Sequence, residues 1–147
     1  MDSNFRENFR EAALLACIEA GAALTPNRLV IFQTLCAADK PISAYEVQAV
    51  LAGDGSRFNI ATIYRVLDFW CNLGLVHKIA SLNKFHACAN PAEAHTHMVN
   101  VCTRCEAVLE SCSKRMGLDL GASSQSLGLT IPASQHIEIP VICAECA

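Results

Sequence analysis

The sequence holds little charge, especially little positive charge, and no long apolar run. Only 17% of its 147 residues are charged while 52% are hydrophobic, a balance that excludes an intrinsically disordered chain. No stretch reaches the 18 or so consecutive apolar residues of a membrane-spanning helix. Met1 to Glu11 lacks the basic start and apolar core of a secretory signal, so the expected compartment is the cytosol. Eleven Lys/Arg against fourteen Asp/Glu, a net charge of -3, leave little positive charge for gripping a polyanion without geometric help.

Cysteine, by contrast, is abundant. Nine cysteines in a chain of this size point, in a reducing compartment, to metal or thiol chemistry more than to a disulfide framework, and the odd number agrees. They are unevenly placed. Cys88, Cys102, Cys105, Cys112, Cys143 and Cys146, with four of the five histidines, follow Lys84. Charge divides at the same point: Met1 to Lys84 carries eight basic and eight acidic residues, and Phe85 to Ala147 three and six. The length suits one or two small cores, and two domains with different tasks are expected.

The first half reads as helices. Asn4 to Ala20 alternates Phe5, Phe9, Ala12, Ala13, Leu15, Ala16 and Ile18 with polar positions and stops at Gly21. Thr25-Pro26 supplies an N-cap and an N1 proline for a second helix bearing Leu29, Val30, Phe32 and Leu35. Ser43-Ala44-Tyr45-Glu46 is a capping box that opens a short third helix ending at Gly53. A fourth helix begins near Asn59. At 100° per residue, Ile60, Ile63, Leu67, Trp70 and Cys71 gather on one side, Ala61, Arg65, Asp68 and Asn72 lie opposite, and Thr62 and Tyr64 flank them. Two β-type runs follow, Leu75 to Ile79 and Lys84 to Cys88, joined through Ser81-Leu82-Asn83. Helices followed by a hairpin make a winged helix-turn-helix. Thr62, Tyr64 and Arg65 occupy the first turns of the fourth helix, where recognition helices contact base edges. Considered alone they also suit a solvated face, and a monomer this poor in positive charge would bind weakly, so a symmetric dimer is expected.

The second half reads as a metal domain. Cys102-Thr103-Arg104-Cys105 and Cys143-Ala144-Glu145-Cys146 are C-x2-C pairs, and 37 residues separate Cys105 from Cys143. Two such turns make a closed four-thiolate site suited to structural zinc. The separation is long for a compact zinc ribbon, so a subdomain is expected between the pairs. Symmetric hairpins add a second constellation. A turn centred between Leu82 and Asn83 sets His77 opposite Cys88, and a hairpin folded about the first pair sets Glu110 opposite His97, with His95 one diagonal step away. Cys17, Cys36 and Cys71 fall on apolar helix faces, where free cysteine packs as a small apolar side chain.

The pieces Leu24-Thr25-Pro26-Asn27-Arg28, Ile42-Ser43-Ala44-Tyr45-Glu46, Ala61-Thr62-Ile63-Tyr64-Arg65-Val66-Leu67, Gly74-Leu75-Val76-His77-Lys78 and the two cysteine pairs resemble, in order and spacing, the ferric uptake regulator family. The chain looks most like its zinc uptake regulator branch. The resemblance implies an α+β protein, with a winged-helix DNA-binding domain over 1–82, a hinge over 83–90 and a dimerisation and metal-binding domain over 91–147. It implies about two zinc ions per chain, one structural on the four cysteines and one regulatory on His77, Cys88, His95 and Glu110. Here resemblance and paired register disagree on one ligand, and the family motif favours His95 over His97. Arg28 and Tyr45 are implied as backbone or minor-groove contacts beside Thr62, Tyr64 and Arg65. The implied function is a zinc-responsive repressor of zinc-uptake genes that binds palindromic operator DNA as a homodimer, and not an enzyme. Iron-sensing relatives usually carry several consecutive histidines before the first cysteine pair, where this chain has only His95-Thr96-His97. The chain also stops one residue after Cys146, with no further cysteine- or histidine-rich tail.

The alternatives are an iron-, manganese- or peroxide-sensing regulator of the same family and a zinc hydrolase or deaminase. His136-Ile137-Glu138 with Pro140 and Cys143-x2-Cys146 is similar to parts of the nucleobase deaminase signature. The gap is too short, however, Pro140 is displaced from its cysteine, and the other C-x2-C pair would have no role.

Overall fold

The computed structural model describes residues 3–88, 97–112, 120–131 and 136–147. The chain forms two compact units, Met1–Pro91 and Ala92–Ala147. The expected hinge over 83–90 therefore includes a strand, Lys84–Ala87, that belongs to the first unit.

The first unit runs α1 (Ser3–Glu19), α2 (Pro26–Ala37), α3 (Ala44–Gly53), α4 (Ile60–Asn72), β1 (Val76–Ile79) and β2 (Lys84–Ala87). Local chemistry fixes the starts of α2, α3 and α4. Thr25 accepts from the Arg28 backbone N–H, Asn59 accepts from that of Thr62, and Ser43 and Glu46 complete both halves of the capping box. Gly55 and Gly74 take positive φ, 84° and 78°, just past α3 and α4. The amides that follow reach back, Ser56 to the carbonyl of Leu51 and Leu75 to that of Trp70, so both helices end in the left-handed turn that glycine permits without strain.

The core of this unit is aromatic at its centre. Phe32 and Trp70 have ring centroids 4.8 Å apart, Phe9 meets Phe32 edge-on at 5.9 Å, and the Trp70 indole donates to the Arg28 carbonyl at 3.0 Å. Ile31, Leu51, Ile63 and Leu67 complete it, all fully or almost fully buried. The expected polar side of α4 is outside: Ala61, Arg65, Asp68 and Asn72 are all exposed. In α1 the expected stripe is only partly inward. Phe9, Ala13 and Cys17 are buried, whereas Leu15 and Ile18 are 58% and 66% exposed. Positions 9, 13 and 17 share one face by their spacing of four, and 15 and 18 lie on the far side.

The wing pairs β1 with β2 antiparallel, with His77 opposite His86 and Ile79 opposite Lys84. Cys88 lies two residues from the expected register, its N–H bonded to the Leu75 carbonyl at 2.9 Å. The loop spans residues 80–83, with Asn83 at φ 50°, and its centre falls one position earlier than symmetry about Leu82 and Asn83 requires. A shift of two in pairing preserves the face. His77, His86 and Cys88 therefore share one side of the hairpin, and Phe85 lies on the other. Phe85 also exchanges two backbone hydrogen bonds with Ile42, at 2.8 and 3.1 Å, which tie the wing to the segment ahead of α3.

The second unit contains β3 (His97–Cys102), β4 (Val108–Cys112), α5 (Leu120–Gln125) and β5 (His136–Val141). Its sheet has the order β4-β3-β5, antiparallel between β3 and β4 and parallel between β3 and β5. Glu110 pairs with Val99, and His97 with Cys112, again two residues from the expected register. The cause is the cysteine turn itself. Glu106 takes φ 62° and bonds back to the Cys102 carbonyl, while Cys102 pairs with the Ala107 carbonyl, so the loop is longer than a symmetric four-residue turn.

Burial pushes the Cys36 thiol up from 9.0 to about 12, and burial first, then the nearby Asp68, lifts Cys71 to about 11. Because the thiolate is the nucleophile, Cys36 offers on the order of a thousandfold less of it at neutral pH than a free thiol. Iodoacetamide at pH 7.5 is expected to leave Cys36 unlabelled in the native protein and to label it readily in urea. Peptide mass spectrometry checks this, and rapid native labelling contradicts the packing described.

Candidate metal centre and nucleic-acid interface

The four-sulfur cluster is built by the β3–β5 pairing. Cys102 ends β3 and Cys105 closes the turn after it, while β5 runs parallel to β3 and delivers Cys143 and Cys146 to the same end of the sheet. The Thr103 N–H bonds to the Val141 carbonyl at 2.9 Å, the Cys143 N–H to the Cys102 sulfur at 3.4 Å, and the Arg104 guanidinium to the Cys146 carbonyl. All four sulfurs lie within 4.8 Å of one another, and those of Cys105 and Cys143 are 3.6 Å apart. A tetrahedral zinc with Zn–S bonds of about 2.3 Å needs sulfurs about 3.8 Å apart, so the donor set fits this ion. Sequence reasoning missed β5, although the alternation Ile137-Glu138-Ile139 was a strand signal.

The electrostatics agree with a cation. Backbone N–H groups of Cys143, Cys105 and Arg104 point at the Cys102 sulfur and lower its pKa to about 6, which favours a thiolate. The Cys146 thiol donates to the Cys143 and Cys105 sulfurs, which holds its proton in place and pushes its pKa up to about 12. Four sulfurs this close cannot all ionise beside one another without positive charge between them, and a divalent ion would supply it. The grouping also overturns the deaminase reading. Cys143 and Cys146 are joined to Cys102 and Cys105, while His136 lies against Glu138 within β5, at 3.8 Å.

Each unit also carries a smaller pair of donors. In the first unit His77 and Cys88 are both buried, 5% and 0% exposed, and their ligand atoms lie within 4.8 Å. In the second, His97 and Glu110 are half-buried on one face of the sheet, on β3 and β4, with ligand atoms within the same distance. His95 falls outside the described residues.

The DNA-facing candidates are distributed over α2, α3 and α4. Arg65 is exposed, Thr62 and Tyr64 are half-buried near the start of α4, and Tyr45 is 62% exposed on α3. Tyr45 and Tyr64 meet edge to face, centroids 6.5 Å apart. Arg28 is held differently: its guanidinium carbon lies 3.8 Å from the Phe69 ring centroid and its Nη1 donates to the Ala23 carbonyl. A cation–π contact and a hydrogen bond thus bind this side chain to the end of α4 and the segment before α2. The sequence assignment of Arg28 did not include this packing partner.

Fold and donor set define a metal-binding winged helix-turn-helix protein. The ferric uptake regulator family is matched over residues 19–117, and the chain belongs to that family. It is 30% identical over 131 residues to the zinc uptake regulation protein of Escherichia coli K12, covering 88% of this chain and 76% of that one. A solved zinc uptake regulator complexed with zinc and DNA superimposes with a TM-score of 0.82 at 29% identity, covering 99% and 96% of the two chains. Holo XcZur gives a TM-score of 0.78 at 32% identity, covering 96% and 97%.

Among the described residues, the second unit buries Met98, Val99, Val101 and Cys102, all on β3, and a zinc ion held by the four cysteines would add its binding energy to the folding of that sheet. Cys102→Ser is expected to lower zinc content by one ion per chain and to leave the second unit unfolded. Native mass spectrometry with amide exchange reads both. A fully protected sheet retaining full zinc contradicts a structural role for the cluster.

Proposed function

We propose that the chain is a zinc-responsive transcriptional repressor, cytoplasmic and not an enzyme, that binds palindromic operator DNA as a homodimer and controls zinc-uptake genes. The observation that carries this reading is the division of donors: one buried pair on the wing of the DNA-binding unit, and one pair on the sheet of the other. The similarity to a zinc uptake regulation protein and to a regulator complexed with zinc and DNA supports it. No helix among the described residues is long and apolar enough to cross a membrane.

In this reading His77, Cys88, Glu110 and a histidine ahead of the first cysteine pair share the regulatory zinc. The imidazole, thiolate and carboxylate donors suit that ion, whereas an all-oxygen set would suit manganese better. The family resemblance implies His95 as the fourth ligand, and the distance between His97 and Glu110 favours His97. An ion taking two ligands from each unit ties the DNA-binding unit at a fixed angle. Zinc shifts such an equilibrium only through its greater affinity for the tied form, and moving it from 1:99 to 99:1 takes about 5.5 kcal/mol, within reach of four-coordinate zinc.

Tyr64 and Arg65 are assigned to base edges, Thr62 to base or phosphate, and Tyr45 and Arg28 to the backbone or minor groove. Duplication of this face by dimerisation compensates for the low positive charge of one chain. The exposed Leu109, Leu127, Leu129 and Ile142 of the second unit supply apolar surface for that contact. Sedimentation of the zinc-loaded protein is expected to give a dimer, and a monomer at micromolar concentration contradicts the proposal.

Cys88→Ser is expected to give a folded dimer that keeps its four-cysteine zinc but loses operator binding at zinc levels sufficient for the wild type. DNA binding across buffered free zinc tests it, and unchanged zinc dependence removes the regulatory role of this site. His95→Ala and His97→Ala, measured alike, assign the fourth ligand: the variant that behaves as Cys88→Ser carries it.

A further inference from the structure

The wing has two faces with different contents. His77, His86 and Cys88 lie on one, and Phe85, set by the alternation of the strand, lies on the other. Phe85 is 1% exposed. Its backbone is held on both sides, by its pairing with Lys78 in β1 and by the two reciprocal hydrogen bonds to Ile42. Its ring meets Tyr64 of α4 edge to face at 6.4 Å, and Tyr64 in turn meets Tyr45 of α3 at 6.5 Å. Three aromatic rings thus run in sequence from the wing through the recognition helix to the surface of α3.

Tyr64 is only half-buried, and an exposed tyrosine pays rotamer entropy when it is fixed against a base edge. A ring already gripped between two others has lost that freedom before DNA arrives, and preorganisation of this kind raises affinity for the one geometry it fits. Of the two gripping rings, Tyr45 is mostly exposed, whereas Phe85 is buried and held by its backbone on both sides. Phe85 is the wall against which the orientation of Tyr64 is set.

We propose that Phe85 is a positioning residue for sequence recognition: it touches no DNA, and it fixes the Tyr64 ring in the orientation that reads the operator. This rests on the assignment of Tyr64 to a base edge. Phosphate contacts do not depend on that ring, so loss of Phe85 should weaken selective binding and spare non-selective binding.

The test uses full-length, zinc-loaded protein, a duplex selected from a random pool by the wild type, and a scrambled duplex of equal length. Phe85→Leu is expected to lower affinity for the selected duplex about tenfold, to leave the scrambled duplex within about twofold, and to retain its zinc content. Phe85→Tyr, which keeps the ring, should restore most of the selectivity. If Phe85→Leu unfolds the first unit at assay temperature, Phe85→Met, with its adaptable unbranched chain, replaces it. Wild-type selectivity in the leucine or methionine variant overturns the inference, as does an equal loss on both duplexes. Tyr64→Ala separates the two claims. If it keeps selectivity, the base-edge assignment fails, whereas its loss of selectivity beside an unaffected Phe85→Leu defeats the positioning role alone.

Discussion

The parallel pairing of β5 with β3 is the constraint on which the second unit depends. It carries Cys143 and Cys146 across 37 intervening residues to the end of the strand where Cys102 and Cys105 turn. Without it neither cysteine pair has a partner. Zinc chemistry and strand pairing reinforce each other here. The sheet places four sulfurs at nearly the spacing of a tetrahedral site, and an ion held there would in turn relieve their mutual repulsion and fix the sheet end.

The first unit is organised by a different economy, in which one short hairpin serves two faces. Its pleat sends His77 and Cys88 one way and Phe85 the other. The Ile42 bridge holds the hairpin against the segment that enters α3, and Trp70 and Phe69 hold α4 against Arg28. Helix α4 is therefore held near its start by Tyr64 against Phe85 and near its end by Phe69 and Trp70 against Arg28. Exposed Arg65 and half-buried Tyr64 owe their placement to this clamp as much as to their own position on the helix.

Helix starts and inward faces were legible in the sequence because their causes are local. Thr25 before Pro26, the Ser43–Glu46 box and Asn59 before an apolar run each satisfy amides within a few residues, and no distant contact can reassign them cheaply. The α1 stripe was less legible: Leu15 and Ile18 are as apolar as the buried Phe9, and only packing against α2 selects one side. Both hairpin registers were displaced by two. A turn's length depends on which residues accept a positive φ, here Asn83 and Glu106, and periodicity alone carries no such information.

The sequence by itself determined which atoms are available and which face of each strand carries them. An even displacement of register leaves His77 with Cys88, and His97 with Glu110, on common faces, because side chains alternate with a period of two. The two C-x2-C pairs likewise declared four sulfur donors in two matched turns. Only the tertiary structure decided that β5 lies parallel to β3, that Arg28 rests on Phe69, and that Phe85 stands behind Tyr64. Those are contacts between segments tens of residues apart. Their energies arise from surfaces that do not exist until the chain has closed, so no local pattern could announce them.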